Sequence, residues 1–535
     1  MSDVLAQALT LYKSGDVSAA KDKCAAAISA DDGNAMAYQL MGVLHSLDGD
    51  LNEALRYLQK AAALDRTDEQ IKFNLAKCFR DLGRYLEAAD LFNAIATAAP
   101  GRADVWVELG AALNKAEVFD KAAAATERAL ALGPQSANVV SNLASMYLQM
   151  GDLDRAETAA RSALSLEEDL KAAWINLAVV YECRDDYDAA IEIYGKLLEA
   201  DPGYHKAAIR HALALLSSGN LREGWRAYAK RPAWAETVTC YGAVNAKYWD
   251  GEPREGKSLL IWTEQGLGDE ILCGTLINGA LTNQDGVTIA CSERMAPVFT
   301  RSFPGARVVA RSDSEISAVA GETFDLQASI TELGMAVQDT QPEPFRGRPY
   351  LVTDPVKVES YRKTYSAARR DKPVIGLSWQ SGSAKTRHQK SSQLREWADV
   401  LSGVDATFVS LQYGNAGDQI AALRQQTGLE ILSDPDFDAR VHFDEFVHQV
   451  AAMDLVISVS NTTVHVAGAL GRDVWTLVPR GIGRPWYWFI DGRESLWYPT
   501  MTLYRQHEAG QWSAPLQAVR DDLKSWVSRW PSPTP

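Results

Sequence analysis

Small and large apolar residues recur with a period of 34 along residues 1–204. Six consecutive units fit this register without insertion or deletion, beginning at residues 1, 35, 69, 103, 137 and 171. Position 8 of every unit is Ala or Gly, position 20 is Ala, and large apolar or aromatic residues recur at position 11 or 24. Small residues let two helices approach closely, and bulky ones fill the space between them. The pattern therefore predicts one helical hairpin per unit.

This spacing resembles the tetratricopeptide repeat. The resemblance implies that neighbouring hairpins stack into a curved α-solenoid, because one unit cannot bury its apolar face alone, and that the concave groove binds polypeptide. A partial seventh unit begins at residue 205 and predicts a capping repeat. We therefore expect a solenoid domain at residues 1–231.

Three asparagines, Asn74, Asn142 and Asn176, occupy position 6 of their units, on the first helix of each predicted hairpin. An amide side chain there can pair with both the N–H and the C=O of an extended peptide. These residues are our candidates for binding a protein acceptor. Asn at this position also occurs in repeats without that role, so a purely structural role stays open.

The excess negative charge of the chain lies mainly in the repeats. Residues 1–204 hold 19 Lys+Arg and 32 Asp+Glu, within a net charge of −15 for all 535 residues. This charge disfavours nucleic acid and anionic lipid as partners, although the acids also fit ordinary solvated helix faces. The six cysteines form no CxxC pair, which predicts neither a zinc site nor a disulfide framework. Without a signal peptide or an apolar run of ~20 residues, we expect a cytoplasmic protein with no membrane span.

Beyond the repeats, short apolar runs alternate with helical stretches, which is typical of α/β domains. Runs at 258–262, 287–290 and 306–310 predict a first α/β domain, which with its linker covers residues 232–352. A second α/β domain at residues 353–535 is predicted by runs at 373–379, 406–411, 454–459 and 474–479. Polar loops follow these runs, and ligands of open α/β sheets bind at the carboxyl ends of strands. We therefore expect the loops to converge on one cleft.

The loop after the first run is rich in glycine. Gly266 and Gly268 permit close backbone approach, and a helix is predicted from Ile271, whose first N–H groups suit an anion. Five segments then carry a more specific resemblance: EQGLGDE at 264–270, GLSWQSG at 376–382, SLQYG at 410–414, DLVISVSNTTVHVAGALG at 454–471 and WYPTMTLYRQ at 497–506.

Together these segments resemble the glycosyltransferases that fuse tetratricopeptide repeats to a GT-B catalytic module, whose catalytic part is similar to the ADP-heptose:lipopolysaccharide heptosyltransferases. The resemblance implies an α/β GT-B module of two Rossmann-like domains facing across a cleft. It also implies that the acceptor binds the first domain and a nucleotide-sugar the second. No metal or other cofactor is implied, because helix N-termini and basic residues offset the phosphate charge. The DxD spacings at 434–438 lie before a helix, so we interpret that segment as a loop and not a metal site.

The resemblance implies that Asp269 is the general base for the acceptor hydroxyl, with the neighbouring Glu270 as the alternative. A base is needed because an alcohol is a poor nucleophile at its own pKa. Asp269 also fits a capping role for the helix predicted from Ile271, and that alternative stays open.

The donor site implied by the resemblance draws on several loops. A cation among Lys385, Arg387 and Lys390 would contact the donor phosphate, and the helix entry at 461–465 would hold phosphate and sugar. Residues 412–413 would contact the base or ribose, with packing as an equal alternative, and Arg484 would help the aromatic residues 486–488 to close the pocket. The donor-binding candidates are Gly266, Gly268, Trp379, Gln380, Lys385, Arg387, Gln412, Tyr413, Ser460, Asn461, Thr462, Thr463, His465 and Arg484.

One residue departs from the family pattern. Heptosyltransferase-like members usually carry Asp where this chain has Ser460. Removing a carboxylate from the donor pocket relieves repulsion if the transferred sugar is itself an anion. This favours a nonulosonic acid, such as pseudaminic or legionaminic acid, carried on CMP. Sequence drift or a different neutral hexose is the alternative.

The sequence thus predicts a protein O-glycosyltransferase that transfers a sugar from a nucleotide-sugar to Ser or Thr of a protein captured by the repeats. The resemblance favours flagellin as that acceptor. Two alternatives stay open: a degenerate catalytic module whose repeats act as a protein-binding adaptor, and a glycosyltransferase acting on a lipid-linked glycan. The absence of a basic amphipathic membrane surface argues against the last.

Overall fold

The computed structural model describes residues 3–229, 246–252, 254, 256–281, 285–311, 319, 321–340, 345–367, 372–382, 387–434 and 436–530. Two compact units divide the chain, Met1–Val180 and Tyr181–Pro535. The domain boundaries expected at residues 231 and 352 stay predictions. Within the described residues, no helix is long and apolar enough to cross a membrane.

Residues 3–229 form a series of fourteen helices. From the second unit onward, the first helix of each hairpin begins at the predicted unit start, at residues 35, 69, 103, 137 and 171. The helical repeat predicted from the sequence is therefore confirmed. The helices are α1 (Asp3–Ser14), α2 (Val17–Ala30), α3 (Ala35–Leu47), α4 (Leu51–Leu64), α5 (Glu69–Asp81), α6 (Tyr85–Ala98), α7 (Ala103–Lys115), α8 (Phe119–Leu132), α9 (Ala137–Met150), α10 (Leu153–Leu166), α11 (Lys171–Cys183), α12 (Tyr187–Ala200), α13 (His205–Ser217) and α14 (Leu221–Ala229).

Each hairpin closes on the small residues that define the repeat. A Cβ atom added at Gly42 would lie 2.5 Å from Leu58 Cγ, and one at Gly110 would lie 2.4 Å from Thr126 Oγ1. The alanine at position 20 is fully buried in all six units. The two helices of a hairpin therefore leave no room for larger side chains at these positions.

Gly-Asp pairs both turn the chain and cap the second helix. Gly151 adopts φ +78°, a left-handed conformation that glycine adopts without strain. Asp152 then accepts a hydrogen bond from the N–H of Arg155 at 3.1 Å, at the N-terminus of α10. This cap supplies one of the partners that the first N–H groups of a helix otherwise lack.

The last hairpin packs within the second compact unit. Trp225 of α14 is fully buried, and a Cβ atom added at Gly334 would lie 2.4 Å from its ring. The Trp225 ring also meets Trp486 edge-on, with ring centroids 5.1 Å apart. The partial repeat therefore shares its core with the α/β elements that follow it.

The described part of residues 246–530 contains two fully parallel sheets. The first has strand order β1-β5-β2-β3-β4 and the second β11-β10-β9-β6-β7-β8. The order reverses between β2 and β5 in the first sheet and between β6 and β9 in the second. The strands are β1 (Lys247–Tyr248), β2 (Leu259–Trp262), β3 (Val287–Ser292), β4 (Arg307–Arg311), β5 (Leu326–Ala328), β6 (Val374–Ser378), β7 (Thr407–Ser410), β8 (Ile431–Leu432), β9 (Leu455–Val459), β10 (Asp473–Val478) and β11 (Met501–Arg505).

Helices connect these parallel strands, as the α/β pattern of the sequence predicts. They are α15 (Leu267–Ala280), α16 (Ala296–Ser302), α17 (Ile330–Thr340), α18 (Pro355–Ser366), α19 (Arg387–Lys390), α20 (Ala398–Leu401), α21 (Gly417–Thr427), α22 (Phe443–Ala451), α23 (Thr462–Ala469) and α24 (Ser513–Ser528). Short 3₁₀ helices occur at Leu394–Trp397, Gly481–Gly483 and Trp486–Trp488. The α/β architecture is confirmed.

One predicted boundary is wrong. Helix α15 begins at Leu267 and not at Ile271, because Gly266 already serves as its N-cap residue. Asp269 therefore lies inside the first turn of α15 instead of preceding the helix. Four further strands, β1, β5, β8 and β11, lie outside the runs that the sequence predicted; two of them contain only two residues, too few to give a periodic signal.

Candidate functional site

The polar loops that follow β2, β3, β6, β7 and β9 line one cavity of about 490 Å³. Loops of both sheets contribute, so the expected convergence of loops at strand carboxyl ends is present. The lining residues are Gly266, Leu267, Gly268, Asp269, Arg294, Ser381, Gly382, Lys390, Tyr413, Ala439, Arg440, Phe443, Phe446, Ser460, Asn461, Thr462, His465 and Tyr487.

Two helices begin at this cavity. Gly266 is the N-cap residue of α15, and Asn461 is the N-cap residue of α23. Both N-caps and both first residues line the cavity. The first N–H groups of a helix lack intrahelical partners and carry partial positive charge, which suits an anionic ligand.

Asn461 connects the loop after β6 to the start of α23. Its Oδ1 accepts a hydrogen bond from the N–H of Thr463 at 3.0 Å, which caps α23. Its Nδ2 donates to Ser378 Oγ at 2.8 Å and to the carbonyl oxygen of Gln380 at 3.0 Å. The amide therefore ties the end of β6 to the start of α23, and its polar atoms serve the protein's own structure.

Asp269 lines the cavity from the first turn of α15 and is half-buried. Its Oδ2 accepts a hydrogen bond from the N–H of Gly266 at 3.2 Å. Burial raises the pKa of Asp269 to about 6, although that N–H and the nearby Lys390 ammonium both act to lower it. Burial also lowers the pKa of Lys390. Asp269 is thus a carboxylate at neutral pH that retains appreciable basicity.

Glu270 is buried away from the cavity. Its carboxylate accepts hydrogen bonds from the hydroxyl of Thr263 and from Ser292, whose N–H lies 2.9 Å away. Arg311 Nη2 lies 3.4 Å from the same carboxylate. Glu270 therefore joins the ends of β2, β3 and β4, and of the two candidate bases Asp269 is the one that lines the cavity.

His465 is buried among aromatic rings at the start of α23. Its Nδ1 lies 2.9 Å from Tyr498 Oη, and the Trp488 ring stacks on it with centroids 5.3 Å apart. A Cβ atom added at Gly268 would lie 3.1 Å from His465 Cδ2, so the imidazole packs directly on the turn of α15. Burial lowers the pKa of His465 to about 3, and Lys390 acts in the same direction. The imidazole is therefore neutral at physiological pH.

Gln412 fastens two loops and also lines a second cavity. Its Oε1 accepts hydrogen bonds from the N–H groups of Trp379 at 2.9 Å and Gln380 at 2.8 Å. The second cavity, about 330 Å³, shares Ala439, Arg440 and Phe446 with the first. The two cavities are therefore neighbours at the carboxyl edge of the second sheet.

Three donor-binding candidates, Trp379, Gln380 and Thr463, do not line the cavity themselves. Trp379 is fully buried and donates from Nε1 to Gln419 Oε1 at 2.9 Å. Gln380 contributes the carbonyl oxygen that Asn461 binds. Thr463 is also fully buried. None of these three is among the residues that line either neighbouring cavity.

Tyr413, Ser460 and Thr462 do line the first cavity. Tyr413 Oη accepts a hydrogen bond from the N–H of Gly382, which fixes the loop after β6. Ser460 Oγ accepts a hydrogen bond from Trp488 Nε1 at 2.7 Å. Ser460 therefore presents no charge to the cavity.

Arg387 and Arg484 are not among the residues that line the cavity. Lys385 lies outside the described residues. Arg387 is exposed, with Nη2 3.5 Å from Gln380 Oε1. The side chain of Arg484 is buried and donates to Asp185 Oδ1 at 2.6 Å and to Tyr187 Oη at 3.0 Å. It lines a separate cavity of about 360 Å³ at the ends of β10 and β11.

The structure adds lining residues that the sequence analysis did not single out. Arg294 follows β3, Ser381 and Gly382 follow β6, and Arg440 precedes α22. The rule that ligands bind at the carboxyl ends of strands would have pointed to Arg294, since it stands just after a predicted strand. No periodic signal marks Arg440.

The three asparagines of the repeats differ in their surroundings. Asn176 is buried, and its Nδ2 donates to Ser141 O at 2.8 Å and Oγ at 3.1 Å. Asn74 accepts a hydrogen bond from Gln70 Nε2 at 3.3 Å. Asn142 lines a cavity of about 430 Å³ together with residues of α5 to α9. Asn142 thus lines a cavity in the repeats.

A metal-binding geometry occurs once in the part of the chain that is described, at Asp444, Glu445 and His448 of α22. Asp444 pairs with Arg301 at 2.7 Å, and Glu445 pairs with Lys357. Cations of the protein therefore already accompany both carboxylates.

Comparison with known proteins identifies the repeats and one relative along nearly the whole chain. Residues 46–113 and 141–205 match models of the tetratricopeptide repeat. Protein FlbA of Caulobacter vibrioides is 25% identical over 98% of this chain and 90% of its own length. Human protein O-mannosyl-transferase TMTC1 is 30% identical, over 30% of this chain and 19% of its own length. The crystal structure of MamA, 24% identical, covers 31% of this chain and 97% of its own, with a TM-score of 0.29. The chain thus contains tetratricopeptide repeats and is similar to FlbA along nearly its whole length.

Proposed function

We propose that this chain is a protein O-glycosyltransferase whose α/β region is a GT-B module of two Rossmann-like domains. The observation that carries the proposal is the 490 Å³ cavity where loops of two parallel sheets meet, lined by Asp269 and by the N-termini of α15 and α23. The strand order β8-β7-β6-β9-β10-β11 corresponds to the order 3-2-1-4-5-6 of a Rossmann fold and supports the assignment.

In the proposed reaction, the acceptor hydroxyl oxygen attacks the anomeric carbon of the donor sugar. Asp269 takes the hydroxyl proton, and the bond between the anomeric carbon and the phosphate oxygen breaks. A pKa of about 6 suits this role, because the carboxylate is mostly ionised at neutral pH and still basic. The helix N-termini and Lys390 offset the negative charge of the departing nucleotide.

The proposed donor is a nucleotide-sugar, with its phosphate at the helix entry formed by residues 460–462. The nucleoside would occupy the neighbouring cavity lined by Gln412. Because Ser460 presents a hydroxyl bound to Trp488 and no carboxylate, the pocket tolerates an acidic sugar. This supports a CMP-activated nonulosonic acid, such as pseudaminic or legionaminic acid.

The proposed acceptor is a protein that the repeats capture, with flagellin favoured by the family resemblance. The name of TMTC1, a protein O-mannosyl-transferase, supports sugar transfer to protein, although the similarity covers only 19% of that protein. Asn142 is the favoured acceptor-binding residue in the repeats, because Asn176 already bonds to Ser141.

The proposed chemistry needs no metal ion, because cationic groups of the chain stand at the cavity. We expect transfer activity to persist in EDTA, measured as the rate of mass gain of the acceptor. A loss of activity that added Mn²⁺ restores would contradict both the metal independence and the GT-B assignment.

Intact-mass spectrometry tests the function itself. The full chain is incubated with flagellin and CMP-pseudaminic acid, and the wild type should add the mass of the sugar. Asp269→Asn should slow this transfer by about 10²- to 10⁴-fold, the usual contribution of a general base. Asp418→Asn is a matched control, since Asp418 likewise lies in the first turn of a helix after a strand.

Full activity of Asp269→Asn would remove Asp269 from the mechanism. A wild-type chain that binds flagellin but transfers no sugar from CMP-, UDP-, GDP- or ADP-linked donors would refute the proposed enzyme. That result would favour the adaptor alternative.

A further inference from the structure

Four charged side chains line the first cavity, namely Asp269, Arg294, Lys390 and Arg440. Arg440 is occupied by Asp438, to which its Nη2 donates at 2.7 Å and its Nε at 3.0 and 3.1 Å. Lys390 acts to lower the pKa of Asp269, and Asp269 acts to raise the pKa of Lys390, so each group stabilises the charged form of the other. Arg440 is therefore paired with a carboxylate, and Lys390 interacts electrostatically with Asp269, whereas Arg294 lines the cavity with neither kind of interaction in the described part of the chain.

Among the described residues, no carboxylate lies in ion-pair range of Arg294. Its Nη1 donates a hydrogen bond to the carbonyl oxygen of Arg440 at 3.4 Å, which uses one of the five N–H donors of the guanidinium. Arg294 is also exposed on the cavity side of the loop. A second negative charge on a bound ligand would therefore find its partner here.

Hydrogen bonds connect the turn that carries Arg294 to the turn that carries Asp269. The carboxylate of Glu270, the residue after Asp269, binds both the N–H and the hydroxyl of Ser292, two residues before Arg294. The fully buried Met295 follows Arg294 and donates its N–H to Ser292 O at 2.9 Å. Asp269 and Arg294 therefore lie on two turns of the first sheet that these hydrogen bonds connect.

Resting on the proposed function, we infer that Arg294 binds the carboxylate of the sugar being transferred and thereby selects an acidic sugar. In a nonulosonic acid the carboxylate is attached to the anomeric carbon itself, one bond from the reacting atom. The acceptor oxygen joins that carbon while its proton passes to Asp269, so the sugar carboxylate must approach the Asp269 carboxylate. A guanidinium that lines the same cavity as Asp269 offsets this repulsion and can bind the sugar carboxylate through two parallel hydrogen bonds.

The donor phosphate has other partners on the second sheet, at the N-terminus of α23 and at Lys390. The sugar carboxylate and the donor phosphate therefore have different partners, and a variant of one partner should affect only one of them. Removing Arg294 should weaken binding of the whole nucleotide-sugar and leave binding of the nucleotide alone unchanged.

Isothermal titration calorimetry on the full chain tests this with two ligands, CMP and CMP-pseudaminic acid. For Arg294→Ala we expect the Kd of CMP-pseudaminic acid to rise about 10- to 100-fold, in the range of a lost charge-assisted hydrogen-bonded pair. The Kd of CMP should stay within about twofold. Arg294→Lys keeps the charge but not the two-pronged geometry and should fall between wild type and alanine. Arg424→Ala, an exposed arginine paired with Glu430, is the control and should change neither Kd.

Equal weakening of CMP and CMP-pseudaminic acid would show that Arg294 contacts the phosphate, and would overturn the inference. Unchanged binding of both ligands would overturn it as well. A wild-type chain that binds neither ligand, or that prefers a neutral nucleotide-sugar, would refute the proposed donor before any variant is measured. Because Arg294 is exposed, its variants are expected to melt at the wild-type temperature, and circular dichroism verifies this.

Discussion

Asp269→Asn is expected to stabilise the fold while it removes activity. Burial raises the pKa of Asp269 from 3.8 to about 6. A carboxyl group with a raised folded-state pKa holds its proton more tightly in the folded protein than in the unfolded chain. At neutral pH both states are ionised, so the folded state carries the cost of a buried charge. The amide of Asn has no charge to bury, and its oxygen can still accept the N–H of Gly266.

The size of the effect follows from the two pKa values. The difference between about 6 and 3.8, at about 1.36 kcal/mol per pH unit, sets an upper limit of about 3 kcal/mol. Because Asp269 is only half-buried, solvent screening reduces this, and we expect a gain of about 1–2 kcal/mol. The gain should be complete above about pH 6, shrink as the pH falls from about 6 to 3.8, and disappear below that window.

Urea unfolding followed by tryptophan fluorescence measures the difference on the full chain. Thirteen of the 15 tryptophans lie in residues 181–535, so the signal reports mainly on the unit that contains Asp269. Wild type, Asp269→Asn and the control Asp418→Asn are compared at about pH 7.5 and about pH 4. A variant less stable than wild type at the higher pH would refute the reasoning. So would a stability difference of the same size at both pH values.

Three further outcomes follow from particular contacts. Lys390 lowers the pKa of Asp269, so Lys390→Met should move the acid limb of kcat/KM from about pH 6 to higher pH; an unmoved limb would contradict the coupling. Asn176→Ala leaves the groups of Ser141 without their partner and should cost about 1–3 kcal/mol, seen as a lower Tm of the repeats. Asn142→Ala should instead leave the Tm unchanged and weaken acceptor binding in calorimetry, whereas a lowered Tm with normal binding would assign Asn142 a structural role.

The amino-acid sequence by itself determined the repeats. Each hairpin closes through contacts between residues close in the chain, such as Gly42 with Leu58, and several second helices are capped within three residues, as at Asp152 and Arg155. Small residues at positions 8 and 20 recur in every unit, so a period of 34 is visible without knowledge of the fold. Continuous apolar runs likewise marked most of the parallel strands, because such strands are buried on both faces.

The tertiary structure decided which residues make up the site. Asp269 and Glu270 are adjacent carboxylates in one helical turn, yet one lines the cavity and the other binds Ser292 behind it. The pattern gave no means to choose between them, because the choice depends on where β3 lies. Arg484, predicted at the donor site, instead pairs with Asp185.

The electrostatic character of the site also depends on the fold. His465 is neutral because Tyr498, Trp488 and Gly268 surround its ring. Asp269 is basic because burial raises its pKa by more than the nearby Lys390 lowers it. Burial and charge act through space, and the groups responsible come from loops far apart in the chain. Local sequence fixes the hydrogen bonds and packing of one hairpin or one helix end, but only the assembled sheets fix the field at a cavity between them.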